Sequence, residues 1–176
     1  MKIINTKFKD LKIVKYNSHS DQRGYFKEIL KNKLFKNKNF IFWSVSKSKK
    51  NVIRGIHFQK KIPQDKYVSV IKGKIFDLVI DLRRNSKTFG KTFSIVLSEK
   101  NNTSLFMPSG FGHGFCALDK ENIVLYGCSK YRSIKNESGI LWNDKKLKIK
   151  WPTKKPIVSM KDRKNISFTN FKKKYF

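Results

Sequence analysis

Cysteine is nearly missing from this 176-residue chain: Cys116 and Cys128 are the only two, and no C-x-x-C pair occurs. Neither a disulfide framework nor a thiolate metal site is expected, and the composition suits a reducing cytoplasm. No apolar run approaches the ~20 residues that a membrane-spanning helix needs. Residues 1–10 have no apolar core of the kind that marks a secretory leader, so none is expected. A glycine-rich phosphate loop is also missing, which argues against ATP or dinucleotide use. No stretch of helical period exceeds ~10 residues, which makes a doubly wound fold a poor fit. Acidic side chains are scarce: 12 Asp and Glu stand against 41 Lys and Arg, for a formal charge of +29.

That excess of charge points to phosphate-rich partners. The lysines, however, are spread from Lys2 to Lys174, with only short clusters such as Lys172-Lys173-Lys174. The charge therefore reads as a solvated surface that helps gather an anionic substrate, and no dedicated nucleic-acid partner is expected.

What is present is strand material. The length fits one domain spanning residues 1–176. Short β-branched and aromatic runs at 40–45, 52–58, 66–71, 74–82, 89–97, 105–107, 114–118 and 123–129 alternate with turn signals, among them Lys72-Gly73 and Pro108-Ser109-Gly110. Residues 17–24 are dense in turn formers, and 31–39 read as a loop or one helical turn. Such spacing indicates an all-β sandwich or small barrel, with an irregular tail from Trp151 whose polar end is a candidate helix.

Chemistry-bearing residues concentrate between Asn51 and Lys66, in N-V-I-R-G-I-H-F-Q-K-K-I-P-Q-D-K. His57, one of three histidines, lies between apolar Ile56 and Phe58. It is either a core histidine satisfied by a carbonyl or a proton carrier near neutral pH. Further on, Pro108-Ser109-Gly110-Phe111-Gly112-His113 has the form P-x-G-x-x-H, which resembles the second motif of the cupins, double-sheet jelly rolls. Metal-bearing cupins pair it with H-x-H. Here the matching place reads His57-Phe58-Gln59, with one histidine, so no metal is expected.

An ordered series of blocks then resembles the dTDP-4-dehydrorhamnose 3,5-epimerase family across nearly the whole chain. Asp21-Gln22-Arg23-Gly24-Tyr25-Phe26-Lys27-Glu28 is similar to D-x-R-G-x-F-x-E, and Arg54-Gly55-Ile56-His57-Phe58-Gln59 to R-G-L-H-F-Q. Gln64-Asp65-Lys66 and the run from Asp77 to Arg83 follow. Ser86-Lys87-Thr88-Phe89-Gly90, His113-Gly114-Phe115, Trp142-Asn143-Asp144, Trp151-Pro152 and Ser159-Met160-Lys161-Asp162 complete the series. The resemblance implies a cupin-type jelly-roll β-sandwich with a short irregular or helical C-terminal segment. It implies a homodimer that uses no cofactor and epimerises carbons 3 and 5 of a nucleotide-diphospho-4-keto-6-deoxysugar. It further implies that His57 is the base, Asp162 its partner, Lys66 the enolate stabiliser and Tyr126 the acid. Arg23 and Arg54 would hold the diphosphate, and Phe26, Glu28, His113, Arg132, Glu137 and Lys161 would meet nucleotide or sugar. Taken singly, each has an ordinary reading: Asp162 a turn residue, Lys66 a surface charge, Tyr126 a core aromatic, Arg23 a turn residue paired to Asp21.

Two departures touch the base. Where the family has Gln-x-Asn, this chain has Phe42-Trp43-Ser44, and Arg132 stands where a tyrosine stacks on thymine, with Tyr131 beside it. Nucleotide preference, and whether one carbon or both are epimerised, stay open at this point. The reading from a different class is a non-catalytic basic jelly roll that binds a polyanion.

Overall fold

The computed structural model describes residues 1–35 and 38–176. In chain order the strands are β1 Lys2–Asn5, β2 Lys12–Lys15, β3 Ser18–Asp21, β4 Gly24–Lys27, β5 Phe42–Lys49, β6 Val52–Gln59 and β7 Lys66–Lys72. There follow β8 Lys74–Asp81, β9 Thr92–Ser98, β10 Thr103–Met107, β11 Phe111–Ala117, β12 Glu121–Cys128, β13 Glu137–Gly139 and β14 Ile157–Val158. Two helices, α1 Met160–Arg163 and α2 Phe168–Tyr175, close the chain.

The strands form two facing sheets, ordered β1-β2-β10-β7-β12-β5 and β13-β6-β11-β8-β9, with β14 added to the second alongside β6. Within them every pair is antiparallel except β14 with β6. The core lies between the sheets: Val68, Val70, Leu105, Met107 and Val124 from the first meet Ile75, Val79, Leu97, Phe115 and Ala117 from the second. This is the all-β sandwich that the spacing of the runs indicates, in the jelly-roll form that the resemblance implies. The second sheet is also covered on its outer face, where Ile56, Phe58, Leu78 and Ile80 pack against Phe168 and Phe171 of α2. Coverage on both faces explains why β11 is buried at every position, and why β8 reads as a nearly unbroken apolar run rather than an alternation.

Two glycines are demanded by the backbone. Gly73, at φ +79°, makes the expected turn between β7 and β8, and a Cβ there would lie 2.2 Å from the Glu121 carbonyl. Gly55 sits at φ +123°, and a Cβ there would fall 2.5 Å from Gly114 Cα. β6 and β11 thus cross at two glycines, and the ladder shifts register between His113 and Phe115.

The run expected at 89–97 begins as β9 only at Thr92, because the residues before it fold back onto Asp81. That carboxylate is fully buried. It accepts bonds from Arg83 Nε at 2.9 Å and Nη2 at 2.8 Å, and from the Ser86 and Thr88 hydroxyls, each at 2.6 Å. Burial pushes the Asp81 pKa up, but these donors outweigh it and hold the carboxyl at about 2. A folded pKa below the unfolded one means that the stabilisation is complete above the ordinary carboxylate range and is lost as pH falls through about 2. Asp81→Asn is expected to cost about 2–4 kcal/mol at pH 7, and the cost should shrink toward pH 2 in urea titrations of the two proteins.

Both thiols are free and buried. No helix among the described residues is long and apolar enough to cross a membrane.

Candidate active site

Strand alternation decides which side chains reach the space between the sheets. On β6, Ile56 and Phe58 face outward into the α2 cluster, so His57 between them faces inward. On β7 and β12, Lys66 and Tyr126 share the parity of the inner residues Val68 and Val124. On β5, Phe42, Ser44, Ser46 and Ser48 point in, while Trp43, Val45 and Lys47 are exposed. At one end of the sandwich these polar groups replace the apolar core and line a cavity of about 670 Å³.

His57 Nε2 lies 2.6 Å from Asp162 Oδ1. The partner of this histidine is therefore a carboxylate and not the carbonyl of an ordinary core residue. Asp162 Oδ2 accepts the Gly55 N–H at 3.2 Å, and Ser159, the cap of α1, accepts the Asp162 N–H at 3.1 Å. Burial pushes the Asp162 carboxyl up, but the bonds from His57 and Gly55 prevail and hold it below the usual carboxylate range. A carboxylate on Nε2 fixes the proton there and leaves Nδ1 with a free lone pair.

The first sheet supplies the opposing groups. Lys66 has no hydrogen-bond or salt-bridge partner for its ammonium among the described residues, and burial pushes its pKa down. Its cross-strand neighbour is Cys128. Tyr126 Oη is 3.0 Å from Ser46 Oγ, and burial pushes its pKa up, so it stays a protonated phenol near neutral pH. Base and carboxylate thus stand on the second sheet, with lysine and phenol on the first.

His113, also in the wall, is 2.8 Å from Asp77 Oδ2, and both are buried. Arg54 is held by Ser48 Oγ at 2.9 Å and the Lys47 carbonyl at 3.0 Å. Glu137 takes both arms of Arg132, at 2.7 and 2.9 Å, and the ammonium of Lys161. The Arg132 bonds, opposed by burial and helped by Lys161, hold Glu137 at about 2. Four cationic side chains, Arg54, Lys66, Arg132 and Lys161, therefore line a cavity suited to an anion.

Nine of the twelve site residues expected from the sequence line this cavity. Arg23, Phe26 and Glu28 do not. They sit on or beside the β3–β4 hairpin, which pairs with no other strand among the described residues. There Arg23 forks onto Asp21, 2.6 Å away at the closest; Glu28 pairs with Lys31 at 2.8 Å; Phe26 is 66% exposed. The ordinary reading of Arg23, a turn residue paired to Asp21, describes its contacts in this chain. Conversely, Ser46 and Asp77 were not among the expected residues. The every-other serine pattern of β5 was the available signal for Ser46, and an acid in the middle of an apolar run, one of two there with Asp81, was the signal for Asp77. Among the described residues no three His, Cys, Asp or Glu side chains gather as a metal would require.

A sequence model of the family described as dTDP-4-dehydrorhamnose 3,5-epimerase matches residues 5–170. The enzyme of that name from Methanothermobacter thermautotrophicus is 39% identical over 169 residues, covering 92% of this chain and 91% of its own. The crystal structure of the Bacillus anthracis enzyme of the same name, with TDP and PPi bound, superposes with a TM-score of 0.90 at 40% identity, covering 95% of this chain and 99% of its own. The dTDP-6-deoxy-D-glucose-3,5-epimerase from Legionella pneumophila, in complex with dTDP-4-keto-L-rhamnose, gives a TM-score of 0.92 at 34% identity, covering 96% and 93%.

Proposed function

Because this chain belongs to the dTDP-4-dehydrorhamnose 3,5-epimerase family, we propose that it epimerises carbons 3 and 5 of dTDP-4-dehydro-6-deoxyglucose through an enolate, using its own side chains and no cofactor. The observation that carries this reading is the opposition of the His57–Asp162 pair on one sheet to Lys66 and Tyr126 on the other.

The 4-keto group acidifies the hydrogens on its neighbouring carbons. His57 Nδ1 takes one of them, and the electron pair of the broken C–H bond moves into the C=C of an enolate whose oxygen carries the negative charge. Asp162 stabilises the imidazolium that results. Lys66, with no ion-pair partner among the described residues, is the natural partner of the enolate oxygen, where a fixed charge already in place stabilises the developing anion. Tyr126 then delivers its proton to the opposite face of the carbanion carbon, inverting it. Arg54, Arg132 and Lys161 favour the diphosphate, and the wider basic surface raises the local concentration of such an anion.

Residues 1–176 act as one unit in this reading, since both sheets contribute to the chemistry. The assembly is a homodimer. Its support is the exposed apolar surface of Tyr25 and Phe26 on the hairpin and of Ile41, Trp43 and Val45 at the β5 edge. Arg23, Phe26 and Glu28 belong to that surface and act from a partner copy. The two free thiols suit a cytoplasmic setting.

The test is proton exchange. With dTDP-4-dehydro-6-deoxyglucose in heavy water, NMR should show deuterium entering at both carbons with inversion. Deuterium at one carbon alone would restrict the enzyme to that carbon, and its absence at both would overturn the assignment of this substrate.

A further inference from the structure

β5 is the edge strand of the first sheet, yet every second residue from Ser44 to Ser48 is a serine facing the cavity side. Two of these serines hold functional side chains. Ser48 fixes Arg54. Ser46, across from Val124 in the ladder, reaches diagonally to Tyr126, whose own cross-strand neighbour is Ser44. The contact is 3.0 Å, and it is the sole hydrogen bond of the Tyr126 hydroxyl among the described residues. The same holds for the Ser46 hydroxyl, so nothing there competes for its proton.

A hydroxyl on a freely rotating bond can donate or accept. If Ser46 accepts, the phenol proton is tied up. If it donates, the phenol proton is free to point into the cavity, and the same bond persists onto the phenolate that transfer leaves behind. Tyr126 is surrounded by groups that offer that phenolate little else: Asp77 nearby opposes its charge, and Arg54, which favours it, is itself bonded to Ser48 and the Lys47 carbonyl.

We propose that Ser46 is a positioning residue for inversion: its hydroxyl donates to Tyr126 Oη, aims the phenol proton at the substrate and stabilises the phenolate that remains. In the step, the Tyr126 O–H bond breaks and its electron pair stays on oxygen. The enolate C=C pair forms the new C–H bond while the C4 carbonyl is restored. Water entering the open cavity later returns a proton to the phenolate. This inference rests on the reading of Tyr126 as the acid.

Ser46→Ala, Ser46→Thr and Tyr126→Phe are compared with the unchanged enzyme in heavy water, using dTDP-4-dehydro-6-deoxyglucose and following exchange and inversion separately. Removal of the substrate proton by His57 needs neither hydroxyl, so deuterium exchange also reports that each variant is folded. Ser46→Ala should lower kcat for inversion about 10- to 100-fold, the worth of a hydrogen bond to a charged group, with KM within about twofold and exchange retained. The number of inversions per exchange event therefore falls. Ser46→Thr, which keeps the hydroxyl, should recover most of the loss. Inversion unchanged in Ser46→Ala would overturn the proposal, as would exchange and inversion falling together, or Thr failing to rescue. Inversion retained by Tyr126→Phe would instead remove the acid assignment beneath it, which is a separate result.

Discussion

His57→Gln is expected to lower kcat by about 10³-fold and to abolish deuterium exchange at every carbon the enzyme works on. The substitution is chosen for what it keeps. A glutamine amide reaches about as far as imidazole Nε2 and can still donate to Asp162 Oδ1, so the buried carboxylate retains a donor in place of the 2.6 Å imidazole bond. The Gly55 and Ser159 contacts that seat Asp162 are untouched. The fold should therefore survive, with a melting temperature within a few degrees of the parent. What disappears is the basic lone pair on Nδ1. Since in the proposed mechanism His57 takes the proton before any other group acts, inversion and exchange should fall together, unlike in the Ser46 variants, where they should separate. Retention of exchange in His57→Gln would assign the base elsewhere, and His113, bonded to Asp77 in the same wall, is where to look.

Lys66→Met should lower kcat/KM by about 10²- to 10³-fold and yet raise the melting temperature. The ammonium stands in the cavity wall with no partner among the described residues, and burial depresses its pKa. Below that depressed pKa the protein bears the cost of a poorly solvated charge, and the cost fades as pH rises through it toward the value of the unfolded chain. Methionine fills a similar volume without the charge, so a gain of about 1 kcal/mol, or about 3 °C in Tm, is expected near neutral pH. In the parent enzyme the same depression brings the alkaline loss of activity to a lower pH than an ordinary lysine would set. Calorimetry and a pH–rate profile on the two proteins check both halves. A variant that is both inactive and less stable would mean that Lys66 holds the wall together and is not a free charge awaiting an anion.

The sandwich was readable because its strands are short, β-branched and separated by strong turn formers. β6, β7 and β8 begin where expected, at Val52, Lys66 and Lys74. β5 runs four residues beyond the expected end, to Lys49, because an edge strand carrying serines inward does not look apolar. The β3–β4 hairpin read as turn formers followed by a mixed run. None of its side chains is buried, and the contact of Lys27 with the Glu99 carbonyl is polar, so no buried face imprinted an alternation on the sequence. For the site, the resemblance named twelve residues, nine of which the fold brings together, whereas local pattern alone could not separate Lys66 from a surface charge. Ser46 escaped notice since its importance lies in one hydroxyl contact across two strands. Residue spacing says nothing of that.

The division of labour between the sheets has a mechanical consequence. In the proposed mechanism the groups that remove the proton and those that return it are mounted on opposite jaws, and the gap between the jaws is set by how Val68, Val124, Val79 and Leu97 stack between them. Rotamers at the cavity can aim each tool, but the working distance belongs to the entire clamp. Stereochemical fidelity in this enzyme thus depends on hydrocarbon side chains that never meet the sugar.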